Sequence, residues 1–509
     1  MCRKAVLRHS ACIVACLVLS VAFLDPKLPL LKAQESIESI ETPASKVERK
    51  SKAPLSREVL QVKLPKPVET KLQNGLTVLI LEDHRTPSVF AQLHIGGAGA
   101  VFEPPSMTGL ANATAQMLRE GTKSRTSLQI AEEIDRLGAT LGAAGSFGSS
   151  QVVFSASGLS DNFEPWFALA VDVLLNPSFP REELEKLKQR QRAQLRQQRS
   201  AANFLVNERF YRAVYGDHPA ATVSPTVESL DALTQEALMK WYRERYAPQN
   251  ALLAIAGDVR AQELIPRLEK WFAGWQRNDV ERTWPPNPVA ATSRKVYLVH
   301  RPNSVQTTVA LGNIAIERRS PDYIPMVVMN HILGGGVSGR LFLNLREEKG
   351  YSYGVYSDFS ALRYPGPWRA GGNMRTEVTA GALVEFFKEI GRIRDQTVPP
   401  AELEDSKRAI AARFALSLEQ PTAILGLAVS RVQFRLPEDY WDTYPAKIMS
   451  VTAEDVQRVA RKYLDPDAMQ LVAVGDGLKI QSVLEPYGPV EVYDSSGKLT
   501  SSSNSSKIP

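Results

Sequence analysis

Gly109-Leu110-Ala111-Asn112-Ala113-Thr114-Ala115-Gln116-Met117-Leu118 is the stretch that decides how this chain folds. It has the composition of a short, mostly apolar helix, and Gly121-Thr122 follows it closely. Asn112 and Gln116 are four residues apart, so both side chains project from the same face of a helix. With Ala115 between them, this face carries two amides and no group that titrates.

The residues around these positions resemble a motif of the pitrilysin/insulinase metallopeptidases. That family carries H-x-x-E-H on a helix, in many members with G-L-A before it, M-L after it and G-T shortly downstream. The same frame is present here as Gly109-Leu110-Ala111, Met117-Leu118 and Gly121-Thr122. The resemblance implies a degenerate zinc motif in a half-length, two-domain chain, similar to the non-catalytic subunit of a mitochondrial-processing-peptidase-like enzyme.

The chemistry of a zinc site is missing at each corresponding position. Asn112 and Gln116 replace imidazoles with amides, which are weak zinc ligands, and Ala115 has no proton acceptor. The family takes its third ligand, a glutamate, from a helix further along the chain. We align that position with Gln194, and no Asp or Glu occurs from Lys186 to Asn207.

No other metal site is indicated by the histidines. Metal sites need clustered ligands, and no two of the six histidines are three to five residues apart; they are His9, His84, His94, His218, His300 and His331. We therefore expect no cofactor on this chain. The resemblance implies that zinc is held by a partner subunit.

The N-terminus has the pattern of a secretory signal. Arg3, Lys4 and Arg8 precede an apolar run from Ala11 to Leu24, which is short for a membrane span. We predict a signal peptide over residues 1–33 and an exported product, periplasmic or extracellular; an uncleaved membrane anchor is the alternative. All three cysteines lie in this leader, so the processed chain would have no disulfide.

The charge balance gives no reason to expect a nucleic-acid partner. The formal net charge is +6, but the leader contributes most of the excess base. No motif of interleaved aromatic and basic residues is present. We predict no nucleic-acid binding, and a membrane association only if the leader is retained.

The body of the chain is duplicated. Three pairs of residues recur at one offset of 218, namely Thr234 with Thr452, Pro248 with Pro466 and Gly257 with Gly475. In each copy a Thr-capped helix leads through a Pro-containing turn into a hydrophobic strand that ends at Gly-Asp. This order predicts an α+β fold of two homologous domains, each an antiparallel-rich sheet packed with helices.

The composition sets the boundaries between these parts. We predict a disordered linker over residues 34–65, a first peptidase-like domain over 66–278, a linker over 279–294, a second peptidase-like domain over 295–485 and a flexible Ser-rich tail over 486–509. In the resembled family the two halves clasp another pair in a second subunit and enclose a chamber. The resemblance therefore implies an intact-motif sister subunit as the partner and a peptide as the substrate.

The second copy carries the best surviving chemical motif. A Gly-rich turn over residues 334–339 and Arg340-Leu341-Phe342 precede Arg346 and Tyr353, which are seven residues apart. In the resembled family such an arginine and tyrosine reach across the chamber to the substrate and its developing oxyanion, for which guanidinium and phenol groups are suitable donors. We assign both residues as groups offered to the partner's site. The alternative is structural, with Arg346 in a surface ion pair and Tyr353 in a core.

A further candidate is Ala139-Thr140-Leu141-Gly142. The equivalent edge strand of the family pairs with an extended substrate, and small residues would let a peptide approach by β-augmentation. A plain Gly/Ala-rich loop or bulge is the alternative.

These features predict an exported, non-catalytic insulinase-like subunit that completes the chamber of an active zinc peptidase and is inactive by itself. The alternative is a peptide-binding or scaffold protein without a catalytic role, which would not need the Arg346/Tyr353 pair. A hydrolase of another class is disfavoured because the sequence has no G-x-S-x-G motif and no cysteine outside the leader.

Overall fold

The computed structural model describes residues 61–278 and 283–502. The predicted signal peptide, residues 1–33, lies outside these ranges, as do residues 34–60 of the predicted linker and residues 503–509 of the predicted tail. The predictions of a cleaved leader and of a membrane anchor therefore stay predictions. No helix within the two described ranges is both long and apolar enough to cross a membrane.

The first half alternates strands with helices. Its strands are β1 (Val68–Lys71), β2 (Thr77–Glu82), β3 (Ser88–Gly96), β4 (Thr140–Ala144), β5 (Gln151–Leu159) and β6 (Ala251–Gly257). Its helices are α1 (Leu110–Met117), α2 (Ser127–Leu137), α3 (Phe163–Leu175), α4 (Arg181–Gln198), α5 (Ala202–Tyr215), α6 (Val227–Asp231), α7 (Gln235–Arg245) and α8 (Ala261–Phe272).

The second half repeats this arrangement and extends it. Its strands are β7 (Val296–His300), β8 (Gln306–Ile316), β9 (Ser352–Ala361), β10 (Pro365–Arg375), β11 (Gln470–Gly475), β12 (Val490–Tyr493) and β13 (Leu499–Ser502). Its helices are α9 (Tyr323–Leu333), α10 (Arg340–Phe342), α11 (Thr379–Asp395), α12 (Pro400–Ser417), α13 (Pro421–Phe434), α14 (Tyr444–Met449), α15 (Ala453–Tyr463) and α16 (Gly477–Leu484). A π-helical segment, Leu343–Glu348, follows α10 directly.

Each half is built on one sheet. The strand order is β1-β2-β6-β3-β5-β4 in the first sheet and β13-β12-β7-β11-β8-β10-β9 in the second. Most neighbouring strands are antiparallel, whereas β6 runs parallel to β2, and both β11 and β12 run parallel to β7. On β3, Val89, Ala91 and Leu93 are buried in the core with the helices of the first half, because alternate residues of a strand share a face. The predicted α+β fold of two sheet-and-helix halves is confirmed.

The structure also repeats the caps that the duplicated sequence indicated. The Thr234 hydroxyl accepts a hydrogen bond from the backbone N of Ala237 at 3.1 Å, and the Thr452 hydroxyl accepts one from Asp455 N at 3.2 Å. Both threonines are therefore N-caps, of α7 and α15 respectively. The strands after these helices, β6 and β11, take equivalent central places in the two sheets.

Each half contributes one helix to the sheet of the other. Helix α5 packs on β8 and β11, where Phe210 lies in a buried cluster with Val472. Helix α13 packs on β2 and β6, where Leu425 lies in a buried cluster with Ala254. The two helices have the same length of 14 residues. This exchange joins the two halves into one structural unit.

The predicted flexible tail over residues 486–509 is wrong for its first part. Val490–Tyr493 forms β12 beside β7, and Leu499–Ser502 forms β13 beside β12. The ring of Tyr493 lies 3.5 Å from the guanidinium carbon of Arg209 on α5. The prediction of a flexible tail was based on the serine content of this segment. The short apolar strand β12, held by the contact of Tyr493 with Arg209, is ordered nevertheless.

The two predicted linkers behave differently. Val62, from the end of the N-terminal linker, packs against the core of the second half, and the backbone N of Leu64 donates to Asp442 Oδ1 at 3.0 Å. The last residues of that linker therefore make fixed contacts before β1 begins. Residues 283–294 of the second linker contain no helix or strand, and its assignment as a linker stays a prediction.

Candidate functional site

The degenerate motif lies on α1, whose start is fixed by a carboxylate. Gly109 precedes the helix with φ at +98°, a conformation that glycine adopts without strain. The Glu103 carboxylate accepts hydrogen bonds from the backbone N of Gly109 at 2.8 Å and of Ala111 at 2.6 Å. These bonds satisfy amides that the first turn of a helix leaves free. Burial raises the pKa of Glu103 to about 7, although both hydrogen bonds oppose that shift.

The two amides of α1 are joined to each other. Gln116 Nε2 donates to Asn112 Oδ1 at 2.6 Å, and Asn112 Nδ2 donates to the carbonyl of Gly145 at 2.9 Å. A Cβ atom at residue 145 would stand only 3.1 Å from the carbonyl oxygen of Ala111, so glycine permits this close contact. Ala115, at the position of the general base, is fully buried in the core.

A third amide completes the cluster, and it is one turn away from the residue that the sequence indicated. Gln191 Nε2, on α4, donates to Asn112 Oδ1 at 3.3 Å. Gln194, which the sequence alignment selected as the lost third ligand, is exposed. The turn of α4 that meets α1 contains Gln191, so the alignment at Gln194 is wrong by one helical turn. We call Asn112, Gln116 and Gln191 the amide cluster.

The amide cluster does not fit a zinc ion. The Asn112 oxygen already accepts two hydrogen bonds, and zinc in proteins prefers imidazole, thiolate or carboxylate ligands. Across residues 61–278 and 283–502, no group of three or more His, Cys, Asp or Glu side chains is placed to hold a metal. Hydrogen-bonded amides therefore occupy the place at which the resembled family holds its metal.

Asn112 also lines a cavity of about 870 Å³ between the two halves. The first half contributes residues 144–151 and the face of α5 that carries Tyr211 and Tyr215. The second half contributes the stretch 362–364 and the end of α13. The Tyr364 hydroxyl donates to the carbonyl of Gly148 at 2.8 Å, so a direct hydrogen bond joins the two walls.

A histidine on β3 faces this cavity without a partner. Both ring nitrogens of His94 are buried and form no hydrogen bond with any residue that the structure describes. Burial lowers the pKa of His94 to about 4, because it disfavours the charged imidazolium. The ring is therefore neutral at pH 7, with one nitrogen able to donate a hydrogen bond and the other able to accept one.

Arg346 and Tyr353 lie at the surface, outside this cavity. The guanidinium carbon of Arg346 is 4.8 Å from the Phe342 ring centroid, and its Nε is 3.4 Å from Glu347 Oε1, so the surface ion pair considered from the sequence is present. Tyr353 is on β9, one of the two outermost strands of the second sheet, and is 88% exposed. The core position considered for Tyr353 is therefore wrong.

The candidate peptide-binding segment forms an edge strand. Thr140–Ala144 is β4, which pairs with β5 on one side and ends the strand order of the first sheet. Arg119 Nη1 donates to the carbonyl of Leu141 at 3.4 Å, and a Cβ atom at Gly142 would have no neighbour within 4 Å. The segment is thus a strand rather than a loop, with Ala139 directly before it; its use by a peptide stays a prediction.

Sequence reasoning gave no role in this region to three residues: Gln191, Glu103 and His94. Gln191 lies in a helix rich in glutamines, so nothing in the sequence distinguishes it as a site residue. Glu103 had one, since a carboxylate shortly before a helix start is a common way to satisfy the first amides. His94 is a polar residue in a strand whose alternate residues are apolar, which marks the face opposite the core.

Two models of one peptidase family match this chain. The model described as insulinase, peptidase family M16, matches residues 77–223, and the model described as peptidase M16 inactive domain matches residues 232–410. The boundary between the two matches lies just before α7. Together they span well over half of the chain.

Relatives and solved structures agree with these matches. An uncharacterized zinc protease of Rickettsia bellii is 26% identical over 419 residues, covering 79% of this chain and 96% of the relative. The uncharacterized zinc protease YmxG of Bacillus subtilis is 25% identical over 349 residues, covering 68% of this chain and 83% of the relative.

The fold is shared with crystal structures over most of the described chain. A peptidase M16 inactive domain from Pseudomonas fluorescens is 26% identical with a TM-score of 0.75, covering 80% of this chain and 98% of that one. A protease from Helicobacter pylori, 20% identical, has a TM-score of 0.74 and is covered over its full length. The chain belongs to the insulinase family of peptidases, M16, as a homologue whose zinc-binding and base positions hold amides and an alanine.

Proposed function

We propose that this chain is an exported, non-catalytic subunit that pairs with an active insulinase-family zinc peptidase and completes its chamber for peptide hydrolysis. The observation that carries this proposal is the amide cluster. Asn112, Gln116 and Gln191 satisfy one another by hydrogen bonds, and Ala115 offers no base. A chain that keeps the family's fold but lacks zinc ligands and a general base is suited to supporting catalysis by another chain.

The exposed arginine and tyrosine support a role across a subunit boundary. Tyr353 is 88% exposed on an outermost strand, where it adds nothing to the core. Arg346 lies in a π-helical segment, a form of helix that is frequent at functional sites. Its contact with Glu347 is a surface ion pair, which contributes only about 0–1 kcal/mol, so a partner's substrate can compete for the guanidinium group.

The edge strand offers a second contact to the substrate. One side of β4 is bonded to β5, and its other side ends the sheet. An extended peptide could add to this edge, as in other β-augmentation complexes. Zinc and the general base would come from the sister chain, with an intact H-x-x-E-H motif.

The test is reconstitution of this chain with an intact-motif sister chain from the same source. We expect neither zinc nor peptidase activity in this chain alone, and activity in the mixture that exceeds that of the sister by itself. Arg346→Ala and Tyr353→Phe should each lower kcat of the mixture by about 10- to 1,000-fold, the range seen when one oxyanion donor is removed. Co-elution in size-exclusion chromatography measures assembly separately.

Matched controls separate this role from surface effects. Tyr356→Phe alters a half-exposed tyrosine on the same strand, and Arg375→Ala removes an exposed arginine from the end of β10; both should leave kcat unchanged. A mixture that assembles but is equally active with Arg346→Ala and Tyr353→Phe would contradict the assigned role. Zinc-dependent cleavage by this chain alone would contradict the proposal as a whole.

A peptide-binding protein without a catalytic role is the second candidate. The observation that favours it is the cavity of about 870 Å³ within a single chain, which needs no partner to form. Peptide binding by this chain in the absence of any assembly with an intact-motif sister would support that candidate instead.

A further inference from the structure

The described residues that line the cavity between the halves carry positive charge and no negative charge. Among the described residues that line it, Arg363 and Arg435 are the charged ones, and none is an aspartate or a glutamate. The remaining wall is made of amides, hydroxyls, aromatic rings, glycine-rich backbone and several aliphatic side chains. Asn112, Gln151, Asn207, Tyr211, Trp284 and Gln433 are representative. Such a wall is complementary to a ligand that carries negative charge and many hydrogen-bonding groups.

Arg363 is held in this wall by an aromatic ring. It lies between β9 and β10, and its guanidinium carbon is 4.7 Å from the Trp284 ring centroid. Within the described ranges it forms no ion pair with a carboxylate. Burial and the neighbouring guanidinium groups of Arg435 and Arg319 lower the pKa of Arg363. Arg363 is therefore repelled by two other positive groups, and an anion bound beside it in the cavity would relieve that repulsion.

Arg435 adopts a backbone conformation that is unfavourable for an arginine. It ends α13 with φ at +51° and ψ at +47°, the left-handed conformation in which glycine is the favoured residue. Its side chain makes no hydrogen bond or ion pair with a described residue, so its identity is not explained by a structural contact. An arginine at this position supplies a guanidinium group to the cavity at a site where a plain helix end would take glycine.

The opposite wall supplies a neutral hydrogen-bonding group. His94 lines the same cavity, and both of its ring nitrogens lack partners among the residues in the described ranges. A buried polar group is normally satisfied. Both nitrogens are buried in this structure, so a ligand in the cavity would reach them only after a side-chain rotation that exposes the ring; a peptide backbone would then offer both donors and acceptors.

We propose that this cavity binds an acidic peptide segment, with Arg363 and Arg435 as ligands of its carboxylate groups. Arginine suits this task because its planar guanidinium group can form two parallel hydrogen bonds to one carboxylate. The proposal deepens the proposed function, on which it rests for the presence of a peptide in the chamber, by giving the substrate class as acidic. The carboxylates are those of Asp or Glu side chains.

The test measures binding to the chain without its predicted leader, in the absence of any sister chain. The probes are three fluorescent peptides of one length: a Glu-rich peptide, the same peptide with Gln for each Glu, and the Glu-rich peptide with an amidated C-terminus. We expect the Glu-rich peptide to bind about tenfold or more tightly than the Gln peptide. No loss on amidation is expected, because the side-chain carboxylates carry the preference; a loss on amidation together with equal binding of the Glu-rich and Gln peptides would assign recognition to the terminal carboxylate and overturn the proposal.

A double variant assigns the preference to the cavity. Arg363→Gln combined with Arg435→Gln should bind the Glu-rich and Gln peptides equally, while Arg190→Gln combined with Arg196→Gln keeps the preference. This control removes the same charge from exposed residues of α4 that do not line the cavity. Arg435→Gly should also weaken the preference without lowering the midpoint of thermal unfolding, because glycine suits the left-handed backbone.

The outcomes also separate this proposal from the proposed function. Equal binding of the Glu-rich and Gln peptides, no binding of either peptide, or a preference that survives the double variant in the cavity would overturn the acidic-peptide proposal. None of these results bears on co-elution and activation with the sister chain. Conversely, if the chain fails to assemble with the sister chain, the proposed pairing is refuted. A strong preference for the Glu-rich peptide in the same chain would still support the peptide site.

Discussion

At the scale of single residues, the side chain that governs the degenerate site is Glu103 rather than any of the three replaced ligands. It fixes the first turn of α1 through the backbone N of Gly109 and Ala111. That turn positions Asn112, which is the centre of the amide cluster. A carboxylate that is both buried and bonded to backbone amides is under two opposing influences on its pKa.

The first prediction concerns the pH dependence of stability that Glu103 causes. Burial raises its pKa from 4.5 to about 7, so the folded state holds a proton that the unfolded state has released between these values. Stability is therefore present in full below pH 4.5 and is lost as pH rises towards 7, by about 1–3 kcal/mol from this group. Glu103→Gln should remove this loss, as measured by urea denaturation from pH 5 to 8.

The control for this prediction is an acid that is exposed. Glu132 on α2 is exposed, and Glu132→Gln should leave the slope of stability against pH unchanged. If the Glu103→Gln difference had the opposite sign, with wild type gaining stability as pH rises, the helix amides would outweigh burial and the pKa of Glu103 would lie below 4.5.

At the scale of elements, the sequence predicted the local features of helices and strands, such as caps and repeats. It did not predict the contacts that depend on how distant elements pack together. The repeated threonine caps of α7 and α15 were readable because capping is local. The sequence could not indicate that Gln191 rather than Gln194 contacts Asn112, because the angle between α1 and α4 decides which turn of α4 faces Asn112. The order of β12 and β13 was hidden for the same reason, because β12 is held by β7, almost 200 residues earlier in the chain.

The second prediction uses that geometry to restore a metal site. The combined changes Asn112→His, Gln116→His and Gln191→Glu place two imidazoles and a carboxylate where three amides now meet. We expect this triple variant to bind one zinc ion, because these are the ligands that zinc prefers and helical spacing brings them together. Metal analysis after dialysis, and a zinc-dependent rise in the melting temperature, measure it.

Two comparisons sharpen this test. Replacing Gln191→Glu by Gln194→Glu in the triple variant should abolish tight zinc binding, because Gln194 is exposed and does not contact Asn112. Asn112→His alone should bind no zinc. The triple variant should remain without peptidase activity, since Ala115 still supplies no base. Equal zinc binding with Glu at 191 or 194 would contradict the assignment of the third position.

At the scale of the whole molecule, the exchange of helices explains how a duplicated chain forms one unit. Phe210 belongs to the first half and is buried on the second sheet, while Leu425 belongs to the second half and is buried on the first. Neither half can expose its sheet without also losing a helix of its neighbour. The cavity lies beside both exchanged helices, so its shape depends on their remaining in place.

The third prediction is that one substitution in either exchanged helix destabilises both halves. Phe210→Ala removes a fully buried ring and should cost about 3–5 kcal/mol, and Leu425→Ala should cost about 2–5 kcal/mol. Because the halves share these helices, hydrogen exchange should show protection falling together in β6 and β11, and thermal unfolding should keep one transition. Leu416→Ala, at a side chain that is 69% exposed, should change stability by no more than about 0.5 kcal/mol. Loss of protection in the second sheet alone, on Phe210→Ala, would mean that the halves unfold independently and that the cavity can open without global unfolding.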